Sequence, residues 1–317
     1  MTDTTAMSSE NKMLELSHSS MQLYHSCARK LEFRKFYEYS KWEESVPASV
    51  GQALHRGYQQ YLINPDDKEA AIWEMMKAYP LKWQKTENDL RSMQASYMTL
   101  LAMMAYPAME DYELAYLNIN GEMKPAIEVP FRIRFRNVEI PGYDLSYIGY
   151  TDAILYKKSA DQYTVFDIKT HRDTSYDLTP KYLFDTQCIP YAIVLEHILG
   201  KKINTLTVNY FTAFVDIMQP DIQIFQFEKT KQDVQDWLQG LYLDILAIKQ
   251  YKELNFFPRD ARSCVLWGRP CPNLEFCHSR DPALINHMLA LAAAAATDAA
   301  PKHKIKPWID FEIEIGV

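Results

Sequence analysis

The chain has 317 residues, 41 of them acidic and 34 basic, so its formal net charge is −7. Hydrophobic residues make up 48% and charged residues 24% of the sequence, a composition that is typical of a folded globular protein with a substantial core and excludes a disordered chain. The acidic balance excludes a protein that coats nucleic acid by bulk positive charge, although a local basic groove remains compatible with it.

The first 14 residues are polar and predict a disordered lead-in. They contain no apolar segment of the kind that a secretory signal needs, and no uncharged apolar run approaches the roughly 18 residues of a membrane helix. We therefore expect a cytoplasmic protein that does not contact a membrane. The sequence lacks the glycine-rich nucleotide-binding loops and the HExxH and GxSxG motifs, which excludes the enzyme classes that these motifs mark.

The chain from Ser19 to about Tyr112 predicts a mainly helical region. Ser19 and Gln22 have the spacing of a capping box, so the first helix is expected to begin at Ser19. Prolines punctuate the region because proline ends or kinks a helix. The predicted helices cover 19–39, 48–62, 66–79 and 88–109.

The next region changes to β-type alternation. It predicts strands over 126–136, 147–156, 162–169, 204–213 and 221–227, with helices over 180–199 and 230–252. This order implies an α/β (α+β) fold in which helices flank a mixed central sheet. A cysteine-bearing loop, a further helix and an alanine run follow, and the final segment alternates apolar and acidic residues.

The strongest chemical signal lies in two predicted strands, which contain Asp152 in GYTD and Asp167 and Lys169 in DIKT. Side chains alternate along a strand, so Asp167 and Lys169 share one face. If the preceding strand places Asp152 beside Asp167, two carboxylates converge into a site of the kind that Mg²⁺ or Mn²⁺ prefers, and Lys169 can stabilise charge on a phosphate. Taken alone, the DxK triplet is common and is more often simply the solvated face of a strand.

Two helical pairs accompany this signal. Gly51 and His55 share one helix face, and a small residue beside an imidazole suits close approach to a metal site. Gln187 and Tyr191 are also four residues apart, with Pro190 between them as a possible kink. Each pair taken alone is usually surface or core, but their order around DIKT favours a shared groove.

The series GQALH, EVPF, GYTD, DIKT and QCIPY resembles the RecB-type branch of the PD-(D/E)XK nuclease superfamily, over roughly residues 17–280. The resemblance implies a restriction-endonuclease-like core with an N-terminal helical region. The expected organisation is one nuclease domain over 15–280, with a helical part at about 40–115 and a catalytic core at about 120–230. A C-terminal helix, linker and tail would occupy 281–317.

The resemblance also implies roles for individual residues. The divalent-metal ligands would be His55, Asp152, Asp167 and the carbonyl oxygen of Ile168. Lys169 would be the catalytic lysine, Gln187 and Tyr191 would line the DNA groove, and Glu128 is a second-tier acidic candidate. The implied activity is a Mg²⁺- or Mn²⁺-dependent deoxyribonuclease, expected to be an exonuclease on single strands or DNA ends. It would act in recombination, repair or phage DNA metabolism, inside a bacterial or phage-infected cell.

Cysteines give an independent signal, because three late ones and an early one could form a four-sulfur site that ties the two ends of the chain together. They are Cys27, Cys264, Cys271 and Cys277. The arrangement is like the [4Fe-4S] staple of AddB-type and CRISPR-associated nucleases, although six residues separate the first two late cysteines where the family usually has two. Zn²⁺ would fit four thiolates as well, and unconnected buried thiols are the remaining alternative. Cys188 is interpreted as a buried small residue.

Basic and aromatic residues offer further candidates. Arg29 and Lys30, with Arg34 and Lys35 on the same helix, are candidates for phosphate contacts, and so are the alternating Arg132, Arg134 and Arg136. Solvated charged faces are the alternative. Among several tyrosines that could stack on unpaired bases is Tyr150. The tail 299–317 either adds a strand to a protein partner or pairs with its own fold.

Two other functions remain open from the sequence alone. One is a DNA-binding, structural module that keeps the nuclease fold and the cluster but does not cleave. The other is a zinc-stabilised interaction protein. Intact Asp152, Asp167 and Lys169 favour the nuclease, because a groove that only holds a strand has no need of all three together.

Overall fold

The fold is built on a mixed β-sheet, seen in a computed structural model that describes residues 11–39, 46–79, 92–172, 177–266, 269–279, 281–295 and 306–316. The strands are β1 Lys12–Leu16, β2 Tyr112–Leu114, β3 Tyr116–Ile119, β4 Glu122–Pro125, β5 Ile127–Phe135, β6 Tyr143–Lys157, β7 Gln162–His171, β8 Thr205–Phe214, β9 Asp221–Thr230, β10 Val265–Leu266, β11 Arg269–Pro270 and β12 Ile309–Ile313. Within the described ranges the central sheet has eight strands in the order β12-β5-β6-β7-β8-β9, with β1 and β2 also paired to β6. Parallel pairs (β1 with β6, β7 with β8, β12 with β5) occur beside antiparallel ones.

Helices cover both faces of the sheet, as the sequence predicts. They are α1 His18–Ser26, α2 Ala28–Lys35, α3 Val46–Ile63, α4 Lys68–Ala78, α5 Met93–Met104, α6 Thr179–Leu183, α7 Ile189–Leu199, α8 Lys231–Glu253, α9 Leu274–Cys277 and α10 Pro282–Ala295. Two buried clusters fill the layers. The first core joins α7 and α8 to β5 and β6, with Phe131 and Tyr147 among its members. The second core joins α3, α4 and α5 to β7 and β8, with Phe166 and Phe211 among its members.

The long strand β6 changes neighbours along its length, and this change creates a fork in the sheet. Its residues 153–157 pair with β7, whereas its residues 143–147 pair with β1. The last pair that joins β6 and β7 is Ala153 with Phe166. Beyond Phe166, β7 continues to His171 beside β8, while β6 lies against β5. The two strands therefore separate immediately after this pair.

Several predicted helices have different bounds in the structure. The helix predicted over 19–39 is two helices, because Cys27 has an extended backbone between α1 and α2. The capping box of α1 is formed by Ser17 and Ser20 rather than by Ser19 and Gln22. The helix predicted over 180–199 is likewise divided into α6 and α7. Pro190 therefore lies in the first turn of α7, where proline is well tolerated, and does not kink a longer helix. Part of the helix predicted over 88–109, residues 88–91, lies outside the described residues.

Three strand regions differ from the predictions. The disordered lead-in predicted over 1–14 is wrong for residues 12–14, which belong to β1, while residues 1–10 lie outside the described ranges. Strands β2, β3 and β4 fill a segment for which no structure was predicted. In the tail, β12 pairs with β5, so the strand completes this chain's own sheet and the interpretation that offers it to a protein partner is wrong for residues 309–313. In the part of the chain that is described, no helix has the length and apolar character needed to cross a bilayer.

Candidate active site

The predicted acidic residues lie at the fork between β6 and β7. Asp152 and Asp167 are the next residues after the final pair of these strands, so each carboxylate projects where the backbone ladder has just ended. The backbone N–H of Ile168 donates to Asp152 Oδ2 at 2.9 Å, which links the two branches. The sequence prediction that the two strands bring Asp152 beside Asp167 therefore agrees with the strand register.

Asp167 is the buried centre of the site, with none of its side chain exposed. Lys169 Nζ lies 2.6 Å from Asp167 Oδ2 and donates to Gln187 Oε1 at 2.8 Å. Gln187 Nε2 donates in turn to Asp167 Oδ1 at 3.0 Å. Carboxylate, ammonium and amide thus form a closed triangle, which fixes Lys169 to one position above the end of β7.

Burial dominates the electrostatics of this triangle. It raises the pKa of Asp167 to about 7, partly opposed by the attraction of Lys169 and assisted by repulsion from Asp152. Burial alone would lower the pKa of Lys169, but attraction to Asp167 outweighs it and the net pKa is raised. Lys169 therefore stays protonated, while Asp167 lies between its acid and carboxylate forms near neutral pH, and further positive charge nearby would favour the carboxylate.

His55 approaches from the opposite layer. It lies on α3, and its Nδ1 is 3.7 Å from Asp152 Oδ2. Gly51, one helical turn earlier, passes so close to β7 that a Cβ at this position would lie 3.0 Å from the Thr170 hydroxyl. A cavity beside Gly51 and His55 is also lined by Ile168 and Lys169. The small residue therefore lets α3 approach the strand that carries Lys169, while the predicted role of His55 at a metal site stays a prediction.

The segment before α7 positions Gln187. Asp185 Oδ1 accepts the backbone N–H of Gln187 at 2.8 Å, an Asx turn that sets the direction of the amide side chain. His18 Nε2 lies 3.9 Å from the same Asp185 oxygen. The sequence analysis did not identify Asp185, although an aspartate two residues before a predicted site glutamine is the signal of such a turn.

Tyr191 does not reach the groove. Its ring is buried edge-on against Phe131, and its hydroxyl donates to the carbonyl of Tyr150 at 2.7 Å. The expectation that Tyr191 lines a DNA groove is wrong, because α7 turns this side chain into the first core. It instead supports the backbone of β6 two residues before Asp152.

Glu128 lies in β5 beside the site and has an unusual backbone. Its neighbours Ile127 and Val129 pair with Ala153 and Thr151, so Glu128 lies across from Asp152. Its φ is 44°, in the left-handed region that L-residues other than Asn and Asp seldom occupy. Its carboxylate is 3.7 Å from Arg56 Nη1 on α3. Backbone strain of this kind concentrates at functional sites.

The donor set fits a divalent cation in its chemistry. Asp152 and Asp167 supply hard carboxylate oxygens, and His55 supplies an imidazole nitrogen. Asp167 Oδ2 is buried and faces the Lys169 ammonium at 2.6 Å. Over the described ranges, no group of three or more His, Cys, Asp or Glu side chains is gathered as a metal site. The fit therefore rests on the chemistry of the two carboxylates and of the imidazole that lies 3.7 Å from Asp152.

The four predicted cluster cysteines line one small cavity between α2 and the C-terminal loop. They are Cys27, Cys264, Cys271 and Cys277. The backbone N–H of Asp260 donates to Cys27 Sγ at 3.4 Å, and the backbone N–H of Cys271 donates to the carbonyl of Cys264 at 2.7 Å. All four are free thiols, and Cys188 is a buried thiol elsewhere, as predicted. The early and late parts of the chain do meet at this cavity.

Arg29 is not available to DNA. It is buried, paired with Glu32, and donates to the carbonyl of Ser279 at 2.8 Å. The prediction that it contacts phosphate is therefore wrong, since its guanidinium ties α2 to the C-terminal loop. Lys30 is half-buried and lines the cysteine cavity, and its predicted role stays a prediction.

Comparisons with known proteins identify a family for the chain. The family model of the PD-(D/E)XK nuclease superfamily matches residues 15–278. Among solved structures, a crystal structure titled "Putative exonuclease" from Eubacterium rectale is similar over 88% of this chain and 98% of its own, with 13% identity and a TM-score of 0.47. None of the curated proteins compared matches the chain in sequence.

Proposed function

Because the chain belongs to the PD-(D/E)XK nuclease superfamily, we propose that it is a Mg²⁺- or Mn²⁺-dependent deoxyribonuclease of the RecB-like branch. The observation that supports this most directly is the fork, where Asp152, Asp167 and Lys169 lie together at the end of the β6–β7 ladder. A solvated strand face would not bury Asp167 completely or close it into a triangle with Lys169 and Gln187.

Four residues of the proposed site would hold a divalent cation. Asp152 and Asp167 would hold the divalent cation, assisted by His55 and the carbonyl of Ile168. A cation held there supplies Lewis acidity to the scissile phosphate and lowers the pKa of a bound water. The backbone N–H of Ile168 donates to Oδ2 of Asp152 and holds this side chain in place, while Oδ1 of Asp152 takes no part in that bond. The buried position of Asp167 excludes water from one side of the site and strengthens its attraction for positive charge.

Lys169 would stabilise the negative charge that develops on the phosphate oxygens during attack. Its ammonium is held by Asp167 and Gln187, so no rearrangement is needed when charge develops. Its raised pKa keeps it protonated throughout the neutral range. Gln187 orients both charged groups through its amide and so serves as a positioning residue.

We further propose an exonuclease that acts on single-stranded DNA or DNA ends. Tyr150 supports a single-stranded substrate, because its ring is 42% exposed two residues from Asp152 and can stack on an unpaired base. The proposed biological setting is recombination, repair or phage DNA metabolism in the cytoplasm of a bacterial or phage-infected cell. The proposed nuclease domain covers 15–280, followed by the C-terminal helix, linker and tail.

The cysteine cavity is proposed to hold a [4Fe-4S] cluster. Its support is that thiols from both ends of the chain line one cavity next to Arg29. Protein purified without oxygen should show broad absorbance from thiolate-to-iron charge transfer, and Cys271→Ser should remove it. If the purified protein is colourless and contains stoichiometric zinc, the site is a four-thiolate zinc site and not an iron-sulfur cluster. If it contains neither iron nor zinc, both forms of the proposal are contradicted.

The nuclease proposal is tested by digestion of end-labelled single- and double-stranded DNA with Mg²⁺, Mn²⁺ or EDTA. Asp152→Asn and Lys169→Ala should each slow metal-dependent cleavage by about two orders of magnitude or more, the usual effect of removing one electrostatic stabiliser. Asp66→Asn is the matched control, because Asp66 is an exposed loop residue remote from the fork in sequence and should leave the rate unchanged. The end from which label is lost would give the polarity of digestion.

Full activity in Lys169→Ala would refute the proposed mechanism. DNA binding without cleavage under any metal would instead favour the second candidate, a DNA-binding module that has kept the nuclease fold.

A further inference from the structure

Three arginines form a stripe on β5 that the proposed mechanism does not use. Arg132, Arg134 and Arg136 follow the alternation of the strand, while the residues between them, Ile133 and Phe135, are buried in the first core. The arginines therefore lie on the other face of the sheet. Further along the sheet, that face is covered by α3, which carries His55.

The stripe leads away from the fork. Arg132 lies opposite Ile148 in β6, four residues before Asp152, which corresponds to about 13 Å along the strand. Tyr150, paired with Pro130, lies between them with its ring partly exposed. Successive arginines repeat every two residues, or about 6.8 Å, which is close to the separation of neighbouring phosphates in an extended nucleic acid strand. Geometry and charge both suit a polyphosphate backbone.

The C-terminal strand β12 neutralises this stripe. Its parallel register places Asp310 beside Arg132 and Glu312 beside Arg134. Asp310 lies 3.5 Å from Arg132 and 2.8 Å from Arg134, and Glu312 lies 2.9 Å from both Arg134 and Arg136. Arg132 is also paired with Glu15 of β1 at 2.7 Å, so the acids of β12 are the main partners of Arg134 and Arg136. Each acid thus bridges two arginines in a continuous ladder.

The strand does not need these acids to stay attached. Ile309 and Ile315 are buried, the backbone N–H of Trp308 donates to the carbonyl of Pro130 at 2.9 Å, and Asn137 exchanges two hydrogen bonds with Ile315. The acidic side chains, by contrast, are more than a third exposed, and exposed ion pairs contribute little to stability. The main effect of the acids is therefore on the charge of the stripe.

We propose that Arg132, Arg134 and Arg136 form a phosphate-binding track for a nucleic acid strand entering the fork, and that Asp310 and Glu312 compete with its phosphates for the same guanidinium groups. This inference rests on the proposed nuclease function, since it takes the fork as the place to which the strand is delivered. Nucleic acid binds the track by replacing the acids of β12 as partners of the arginines. The tail strand thereby sets the affinity and salt sensitivity of substrate binding.

The test measures binding of the full-length protein to a fluorescent single-stranded oligonucleotide in EDTA, over a series of salt concentrations. The double variant Asp310→Asn with Glu312→Gln removes the competing charge and keeps side-chain size. It should bind more tightly, and its slope of log affinity against log salt should steepen by about 1.4, which corresponds to two more phosphate contacts on a single strand. Adding Arg134→Gln and Arg136→Gln should return the slope to the wild-type value or below.

Glu314→Gln is the matched control, because Glu314 is exposed two residues beyond Glu312 and, within the described ranges, has no basic side chain at ion-pair distance. Equal gains from Glu312→Gln and Glu314→Gln would reduce the effect to net charge and overturn the track. An unchanged affinity and slope in the double variant would also overturn it, provided that circular dichroism and thermal unfolding show the native fold. Equal tightening toward polyglutamate would show a general polyanion surface and overturn the nucleic acid assignment.

Cleavage measured in parallel separates the two proposals. If the protein cleaves DNA with a divalent metal but its affinity for the oligonucleotide does not change when the tail charges are removed, the proposed function stands and the track is overturned. Binding that responds to the tail charges without cleavage under any metal would support the track and refute the nuclease.

Discussion

The ion pair between Asp167 and Lys169 leads to a prediction about folding that does not depend on catalysis. Lys169→Met removes the ammonium and keeps the length of the side chain. Asp167 is then buried without its counter-ion, with Gln187 as its remaining hydrogen-bond donor among the described residues, and it must either carry an unpaired charge or take up a proton. Removing one member of a buried pair typically costs about 3–5 kcal/mol. Because the Lys169 side chain is 24% exposed, we expect the lower end, about 3 kcal/mol.

The cost should depend on the second partner and on pH. Asp167→Asn together with Lys169→Met removes both charges, so the double variant should be close to wild type in its free energy of unfolding. Folding raises the pKa of Asp167, so the folded state binds a proton that the unfolded state has lost, and stability falls as pH rises from about 4 to about 7. Without Lys169 this pKa rises further. The penalty of Lys169→Met should therefore be smaller at pH 5 than at pH 8.

The assay is urea unfolding in EDTA at pH 5 and pH 8 for wild type, the two single variants and the double variant. The exposed pair Lys77 and Glu74, with 2.7 Å between Nζ and Oε1, provides the control, since Lys77→Met should cost less than about 1 kcal/mol. An interaction energy below about 0.5 kcal/mol between the two site substitutions would mean that they act independently. That result would refute the buried pair as the organising contact of the site.

Two further substitutions test the packing and the pH response. Gly57→Ala should destabilise the fold by about 1–3 kcal/mol in thermal unfolding, because the added Cβ would lie 2.8 Å from Met75 Cβ. In the control Gly240→Ala, the added Cβ meets no atom within 4 Å, so this substitution should stabilise α8 by about 0.5–1 kcal/mol. Equal effects would contradict the close approach at Gly57. His171 has its pKa lowered to about 4 by burial, so between about pH 6.5 and pH 4 the unfolded state takes up a proton that the folded state does not, and stability falls as pH falls. His171→Gln keeps a polar partner for the Tyr182 hydroxyl. After allowance for the partial exposure of His171, this substitution should reduce the loss of stability between about pH 6.5 and pH 4 by about 1–2 kcal/mol. An unchanged dependence of stability on pH would refute the role of His171 in it.

Local patterns account for the parts of the fold that were predicted correctly. Strand-type alternation and β-branched residues locate β5, β7 and β8 to within two residues at each end. The buried residues of β5 in the first core lie on one face, whereas β7 and β8 contribute side chains to both cores. The same alternation places Asp167 and Lys169 on one face, and their contact confirms it. The two motifs converge because β6 and β7 are neighbours in sequence and in the sheet.

The remaining features depend on contacts between distant segments. Apolar periodicity continues across the break between α6 and α7, and the Asx turn at Asp185 was not identified, yet that break is what places Gln187 over Asp167 and turns Tyr191 into the core. The charged face of the first predicted helix reads as solvated, but Arg29 is buried because Glu32 and the C-terminal loop satisfy it. The strand with which the tail pairs could not be predicted either, because a single alternating segment does not specify which sheet edge it joins.

The layer around Asp167 also shows why this site is expensive to fold and why a ligand would stabilise it. Asp167 lies beside Tyr210 in the β7–β8 ladder, and the Tyr210 hydroxyl and the Cys188 thiol, both buried, interact with each other on that face. Burial and repulsion from Asp152 raise the pKa of Asp167 to about 7. Ionising this carboxylate in the folded state is therefore costly, and the fold loses stability as pH rises through the neutral range. A divalent cation held by Asp152 and Asp167 would favour the ionised carboxylates and would bind the folded state alone, so at about pH 8 it should raise the unfolding temperature of this protein.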